Sequence, residues 1–178
     1  GIQCRVFNPF APGLNVFLNN RDHRKITVID GKVGFTGGYN LANEYFNITH
    51  PYGTWKDTGI RLEGDAVRSL TVTFLEMWNA VSNKDRNDTD FSLYLPEYEY
   101  HAKQNGFIQP YADSPLDDEQ VGEEVYISMA NKAEKYCWFI TPYLIITDEM
   151  THALTLAAKR GVDVRIITPG IPDKKMVY

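Results

Sequence analysis

A histidine and a lysine stand two positions apart in a stretch whose alternating character is typical of a β-strand. The stretch runs from Asp22 to Asp30 and reads Asp-His-Arg-Lys-Ile-Thr-Val-Ile-Asp. Because side chains alternate faces along a strand, His23 and Lys25 are predicted to share one face, about 7 Å apart at a rise of roughly 3.3 Å per residue. At that separation an imidazole can attack a phosphorus atom while an ammonium neutralises the phosphate oxygens. The pair therefore indicates phosphoryl-transfer chemistry.

A glycine-rich bend after the histidine-bearing strand offers further groups for a phosphate. Asp30-Gly31 predicts a tight hairpin turn, since both positions tolerate positive φ, and the chain then returns as a second strand to Gly37 and Gly38. Adjacent glycines let a backbone pass close to a ligand, so Gly38 is a candidate phosphate-binding position. The side-chain amide of Asn40 adds a neutral hydrogen-bond donor for a phosphate oxygen.

Composition limits the class of protein. The sequence has 178 residues, of which 43% are hydrophobic and 23% charged, as in an ordinary soluble globular protein. Its formal net charge of −5 argues against a general nucleic-acid binder, which normally carries a basic surface. Cys4 and Cys137 are too few and too scattered for a disulfide framework or a metal cluster, so we expect buried thiols in a reducing compartment. No run approaches the ~18 apolar residues of a membrane span.

Hydrophobic periodicity predicts a mixture of strands and helices around the hairpin. Amphipathic helices with capping signals are expected at residues 66–81, 117–133 and 148–160, and Leu41–Phe46 could form a helical turn. Strands other than those of the hairpin are predicted by short apolar runs, and they cover residues 2–7, 55–63, 106–111, 136–140 and 162–167.

The two ends of the sequence resemble one another. Residues 161–169 match residues 1–9 in character, each with a leading glycine, an arginine at the fifth position and a proline at the ninth. Such similarity indicates two copies of one structural unit. The sequence then divides into the C-terminal part of a first unit at 1–81, a polar linker at 82–106 and the N-terminal part of a second unit at 107–178. We expect an excised fragment that folds alone or by exchange between two chains.

The motif residues together resemble the signature of the phospholipase D superfamily, H-x-K-x4-D followed by G-G/S-x-N. The residues that carry it are His23, Lys25, Asp30, Gly37, Gly38 and Asn40. More narrowly, residues 19–25, 33–45 and 55–64 resemble bacterial cardiolipin synthases. The resemblance implies an α/β fold, namely a phospholipase D-like mixed β-sheet flanked by helices, with this sequence spanning parts of two repeats.

The resemblance also implies roles for the candidate residues. His23 would attack the phosphorus and form a phosphohistidine, while Lys25, Asn40 and Gly38 would bind the phosphate oxygens. No metal or other cofactor is expected, because the lysine takes the part of a cation.

Two carboxylates are candidates for supporting the nucleophile. A histidine needs a carboxylate on its other nitrogen to fix the tautomer. Strand parity keeps Asp30 from reaching His23 easily, so we assign Asp30 to bracing the hairpin and Asp57 to orienting the imidazole. The alternative for Asp57 is a surface ion pair on an edge strand.

The implied function is that of a phosphatidyltransferase, which makes cardiolipin from two phosphatidylglycerols through a phosphohistidine. One alternative is a phospholipase D-like phosphodiesterase or nuclease. Another is an inactive fragment, because the sequence lacks a second H-x-K-x4-D motif, whose histidine would be the general acid. The expected partners are phosphatidylglycerol and a second copy in a homodimer or domain swap, and not nucleic acid. The longer protein is expected at the cell membrane, peripheral or anchored, with cytoplasmic-type thiols, and the fragment itself is expected to be soluble.

Overall fold

A computed structural model of the chain describes residues 1–8, 22–82, 84–85, 90–103, 105–114 and 119–171. In chain order its elements are β1 (Ile26–Ile29), β2 (Val33–Gly37), β3 (Gly59–Glu63), α1 (Ala66–Ala80), a 3₁₀ turn (Ser92–Tyr94), α2 (Val121–Lys132), β4 (Tyr136–Ile140), α3 (Asp148–Lys159) and β5 (Asp163–Ile167). The predicted α/β class is confirmed. Within the described ranges, no helix combines the length and the apolar character that crossing a membrane requires.

The chain folds as two units. Unit 1 consists of Gly1–Thr49 and Trp55–Tyr111, and unit 2 consists of His50–Thr54 and Ala112–Tyr178. The described strands form a three-stranded sheet, β1-β2-β3, in unit 1 and a two-stranded sheet, β4-β5, in unit 2. The assignment of these units to two repeats of a phospholipase D-like domain stays a prediction.

Unit 1 is an antiparallel sheet with α1 on one face. The buried core consists of Leu62, Val67 and Leu70, and Ile26 and Val28 pack against it. The intervening residues of β1 are exposed, because successive side chains of a strand point to opposite faces. The alternation predicted for the first strand of the hairpin is therefore confirmed.

The hairpin turn has the backbone conformation that its residues predict. Asp30 and Gly31 have φ values of 53° and 66°, and the amide of Lys32 donates to the carbonyl of Ile29 at 3.0 Å. The ladder pairs Ile29 with Val33, so three residues rather than two lie between the paired strand ends.

Part of the predicted linker packs on this hairpin. The Tyr98 hydroxyl donates to the carbonyl of Lys32 at 3.2 Å and accepts from the amide of Gly64 at 3.1 Å. A Cβ added to Gly31 would stand 2.5 Å from both Cδ of Pro96 and the carbonyl oxygen of Tyr94. The segment around residues 94–98 therefore covers the turn and ties it to the end of β3.

Unit 2 pairs β4 and β5 in parallel, with α2 and α3 packed on one face. Its buried core consists of Ala130, Met150, Ala153 and Leu154. The side chain of Thr147 caps α3 by accepting from the amide of Met150 at 3.2 Å, which satisfies a backbone donor at the helix start. The predicted third helix is confirmed to within one residue.

Several local predictions are wrong. Residues 2–7 and 106–111 form no strand, and the predicted strand at 55–63 is shortened to β3. A strand needs a neighbour for its backbone hydrogen bonds, and periodicity alone does not reveal whether one is present. Leu41–Phe46 forms turns rather than a helix. Cys4 is exposed, not buried, and Cys137 is half-buried.

The second helix was predicted to begin at residue 117. Residues 117 and 118 lie outside the described residues, Glu119 precedes the helix, and α2 begins at Val121.

Candidate active site

The two motif side chains that were predicted to act together are in contact. His23 and Lys25 lie immediately before β1 in a segment without regular secondary structure, although the strand was predicted to begin at Asp22. Nζ of Lys25 is 3.0 Å from Nδ1 of His23. The same ammonium donates to the backbone carbonyl of His23. Because an ammonium has donors and no acceptor, Nδ1 is the acceptor, and a neutral imidazole held in this way carries its proton on Nε2.

The charge of Lys25 is shaped by its surroundings. Partial burial lowers the pKa of Lys25 below its ordinary value, and the negative charges of Asp22 and Asp57 offset part of that decrease. Burial removes water from the ammonium, so its attraction for an anion is less screened than at a fully exposed site. Asp57 is therefore within electrostatic range of Lys25.

An ion pair brackets the histidine along the chain. Nε and Nη2 of Arg24 donate to the two carboxylate oxygens of Asp22 at 2.8 and 3.0 Å, and the Arg24 amide donates to Oδ1 at 2.9 Å. Burial alone would raise the pKa of Asp22, but these hydrogen bonds and the charges of Arg24 and Lys25 lower it overall. The hydrogen bond to Asp22 in turn raises the pKa of Arg24. The pair fixes the backbone on both sides of His23.

The second glycine of the bend lies against Asp57. A Cβ on Gly38 would stand 2.5 Å from Oδ1 of Asp57, and the amide of Gly38 donates to the carbonyl of Thr58 at 3.3 Å. Oδ1 accepts from the Thr58 amide at 2.7 Å, and Oδ2 accepts from the indole Nε1 of Trp55 at 3.3 Å. The absence of a side chain at Gly38 therefore makes room for the carboxylate of Asp57. The predicted approach of the Gly38 backbone to a phosphate stays a prediction.

The amide of Asn40 is held by a tyrosine. Nδ2 of Asn40 donates to the hydroxyl of Tyr45 at 2.7 Å. The ring of Tyr45 packs on the ring of Trp55, with centroids 4.5 Å apart and planes at 49°. The side chain of Asn47 joins both backbone polar groups of Trp55, accepting from its amide at 2.7 Å and donating to its carbonyl at 2.9 Å. These contacts link Asn40 to the residue that donates to Asp57.

Asp30 is the candidate that lies apart from the others. It occupies the hairpin turn, five residues beyond Lys25, which corresponds to about 16 Å along an extended chain at roughly 3.3 Å per residue. The structure thus brings His23 and Lys25 into contact, packs Gly38 against Asp57, whose charge acts on Lys25, and leaves Asp30 at the far end of the hairpin. The position of Asp30 in the turn is consistent with its predicted role of bracing the hairpin.

Neither the Asp22–Arg24 ion pair nor the contacts of Tyr45, Asn47 and Trp55 were predicted from the sequence. The first has a local signal, because residues two apart in an extended chain share a face. The others depend on how the loop between β2 and β3 folds back. In the described parts of the chain, no three His, Cys, Asp or Glu side chains gather in a way that could hold a metal ion.

Comparisons with known proteins give matches over the whole sequence. A family profile described as "Cardiolipin synthase, PLD-like domain" matches residues 126–178. An uncharacterized protein of Streptococcus mutans is 52% identical over 178 residues, which cover 100% of this chain and 38% of that protein. A cardiolipin synthase of Alkalihalophilus pseudofirmus is 38% identical over 180 residues, which cover 100% of this chain and 35% of that protein.

A cardiolipin synthase of Listeria welshimeri is 35% identical over 180 residues, covering 100% of this chain and 36% of that protein. The chain therefore spans little more than a third of the length of these relatives. No solved structure matches the chain.

Proposed function

The resemblance to the phospholipase D superfamily and to bacterial cardiolipin synthases is confirmed, and on that premise we propose that this chain carries the nucleophile of a phosphatidyltransferase. The observation that carries the proposal is the contact of 3.0 Å between Nζ of Lys25 and Nδ1 of His23. A nucleophile and a cation in contact are what attack on a negatively charged phosphodiester needs. Asn40 adds a neutral donor to the same phosphate, whereas the amide of Gly38 already donates to the carbonyl of Thr58.

Binding of the substrate rearranges the pair. Lys25 holds the lone pair of Nδ1 in the free chain, and a phosphodiester, which is an anion, competes for that ammonium. Once Lys25 moves to a phosphate oxygen, the imidazole can place its proton on the nitrogen that faces a carboxylate, and the other nitrogen is left to attack. Asp57 is the carboxylate proposed for this role. Each of its oxygens has more than one acceptor site, so the bonds from Trp55 and Thr58 leave capacity for the imidazole.

The reaction then has two displacements. In the first, a nitrogen of His23 forms a bond to phosphorus while the bond from phosphorus to the glycerol oxygen breaks, and the leaving oxygen takes a proton from a general acid. In the second, the hydroxyl of an acceptor gives its proton to the now deprotonated general acid and attacks phosphorus, while the bond from phosphorus to the nitrogen of His23 breaks. The sequence holds one H-x-K-x4-D motif, so we assign the general acid to a second histidine outside it.

We infer that the donor and the acceptor are both phosphatidylglycerol. Several relatives that match the chain over its whole length are named cardiolipin synthases. Cardiolipin itself contains two phosphatidyl groups joined through one glycerol. If water is the acceptor, the same intermediate yields phosphatidic acid, so the products distinguish a transferase from a hydrolase.

The test is an assay of the full-length protein with phosphatidylglycerol vesicles. The expected products are cardiolipin and glycerol, and His23→Asn is expected to lower turnover by about 10³-fold or more, because no other group can form the intermediate. His152→Asn is the matched control, since this exposed histidine lies on α3, and it is expected to retain activity. Undiminished turnover in His23→Asn would overturn the proposal, and phosphatidic acid as the product would reassign the chain to a hydrolase.

A further inference from the structure

We propose that Tyr45 and Trp55 are positioning residues of the phosphate site, which couple the amide of Asn40 to the carboxylate of Asp57. This inference rests on the proposed function and assigns a role to the loop between β2 and β3. Neither aromatic residue belongs to the motif that marks the site.

The first link is the hydrogen bond between Asn40 and Tyr45. A side-chain amide has two N–H donors, so fixing one of them on the Tyr45 hydroxyl at 2.7 Å also fixes the direction of the second. An amide that is already oriented loses less rotational freedom when it binds a phosphate oxygen, and affinity rises accordingly. Tyr45 thus acts through Asn40 without touching the substrate.

The second link runs from Tyr45 to Asp57. The Tyr45 and Trp55 ring centroids are 4.5 Å apart, and the indole Nε1 of Trp55 donates to Oδ2 of Asp57 at 3.3 Å. The charge of Asp57 acts on Lys25. A continuous series of contacts therefore connects Asn40 with the carboxylate that influences Lys25.

The loop that carries both aromatic residues is fastened at its other side. The Asn47 side chain spans the backbone amide and carbonyl of Trp55 at 2.7 and 2.9 Å, as a neighbouring strand would. Asn47 has a φ of 54°, a conformation that asparagine tolerates better than most residues. Both aromatic rings are half-buried. Such a loop can hold a fixed geometry beside the site.

The test is a double-mutant cycle on the chain, with inorganic phosphate as a probe that binds without turnover and is titrated by ³¹P NMR. Asn40→Ala is expected to weaken phosphate binding by about two- to tenfold, the range for one lost hydrogen bond. Tyr45→Phe keeps the ring on Trp55 and removes the hydroxyl, and it is expected to weaken binding by about two- to fivefold. The double variant is expected to bind no more weakly than Asn40→Ala alone, because Tyr45 acts through Asn40.

A second cycle tests the other link. Trp55→Phe keeps the aromatic contact and removes the indole N–H, so it is expected to weaken phosphate binding by about two- to fivefold, again the range for one hydrogen bond. This loss is expected to be absent in an Asp57→Asn background. If the losses of phosphate affinity in Trp55→Phe and Asp57→Asn instead multiply in the double variant, Trp55 does not act through Asp57, and the coupling is overturned.

Tyr98→Phe is the matched control for losing a tyrosine hydroxyl. The Tyr98 hydroxyl donates to the carbonyl of Lys32 in the hairpin turn and accepts from the amide of Gly64 just after β3. Its loss is expected to lower the melting temperature by about 2–4 °C while leaving phosphate affinity unchanged. A stability loss of the same size in Tyr45→Phe without a loss of affinity would show that Tyr45 is merely structural.

The outcomes separate the inference from the function on which it rests. If phosphate affinity is unchanged in both Lys25→Ala and Asn40→Ala, the phosphate site is absent and the proposed function fails. If those variants weaken binding while Tyr45→Phe and Trp55→Phe do not, only the positioning role is overturned. Circular dichroism on each variant confirms that the affinities refer to folded chains.

Discussion

The backbone of Gly38 lies against the carboxylate of Asp57, so closely that a Cβ on the glycine would stand 2.5 Å from Oδ1. The same oxygen accepts from the amide of Thr58 at 2.7 Å, and the charge of Asp57 acts on Lys25. Position 38 therefore favours glycine because a side chain there would collide with the carboxylate of Asp57, whether or not Gly38 also contacts a ligand.

Gly38→Ala is expected to impair the site more than the fold. The new methyl group meets the end of a side chain, which can move, so the free energy of unfolding should fall by about 1 kcal/mol or less. The displaced Asp57 carboxylate then lies in a different position relative to Lys25, and phosphate affinity should fall severalfold in a ³¹P NMR titration.

Gly37→Ala is the matched control. Its Cβ would stand 2.5 Å from the carbonyl oxygen of Thr58 and 2.8 Å from Cα of Gly59, which are backbone atoms of the neighbouring strand. Urea unfolding should show a loss of about 1–3 kcal/mol, as for other overpacked positions. If a folded Gly38→Ala chain binds phosphate with wild-type affinity, the position of the Asp57 carboxylate does not matter for the site, and its proposed role is contradicted.

Substitutions at Asp30 are expected to separate a structural role from a chemical one. Its φ of 53° is costly for most residues and tolerated by asparagine, so Asp30→Asn should retain stability and Asp30→Ala should lose about 1 kcal/mol. Neither variant should change phosphate affinity, because the turn lies at the opposite end of β1 from Lys25. Loss of phosphate binding in a folded Asp30→Asn chain would instead assign the carboxylate to the chemistry.

The ion pair beside His23 is expected to give a pH-dependent contribution to stability. Because the pKa of Asp22 is lowered in the folded chain, its carboxylate stabilises the fold above its ordinary pKa of 3.8, and that contribution disappears as the pH falls through the folded-state value. Asp22→Asn should therefore lower the free energy of unfolding by about 0.5–1 kcal/mol at pH 7, the range of a partly exposed pair. The difference from the wild type should shrink below pH 3.8.

Arg24→Gln provides the check on the Asp22 prediction. It removes the partner that lowers the Asp22 pKa, so it should abolish most of the same pH dependence in thermal or urea unfolding. A difference between Asp22→Asn and the wild type that stays constant from pH 7 to pH 3 would contradict the pairing.

Local signals predicted the parts of the fold whose structure is decided locally. The alternation of β1, the positive φ at Asp30 and Gly31, and the helix that begins at Asp148 each follow from neighbouring residues. The strands predicted at 2–7 and 106–111 failed because a strand also needs a distant partner for its hydrogen bonds.

The contacts of the candidate site likewise divide into a local one, which the sequence predicts, and distant ones, which it does not. The contact between His23 and Lys25 joins residues two positions apart, and their spacing was enough to predict that the two side chains lie close together. Their joint action on a phosphate stays a prediction. The links from Asn40 through Tyr45 and Trp55 to Asp57 depend on a loop that turns back on itself. No periodicity in the sequence indicates how this loop folds back, so these contacts could not be predicted from the sequence.

The role of His23 as the nucleophile is tested most directly by trapping the covalent intermediate on its side chain. Bis(4-nitrophenyl) phosphate is a suitable probe, because its leaving group departs without a proton and the second histidine is not needed. Intact mass and peptide mapping should find one acid-labile 4-nitrophenylphosphoryl group per chain, located on His23 and absent from His23→Asn. Equal labelling of His23→Asn, labelling of a different residue, or an unlabelled chain that is folded and binds phosphate would contradict the assignment of His23 as the nucleophile.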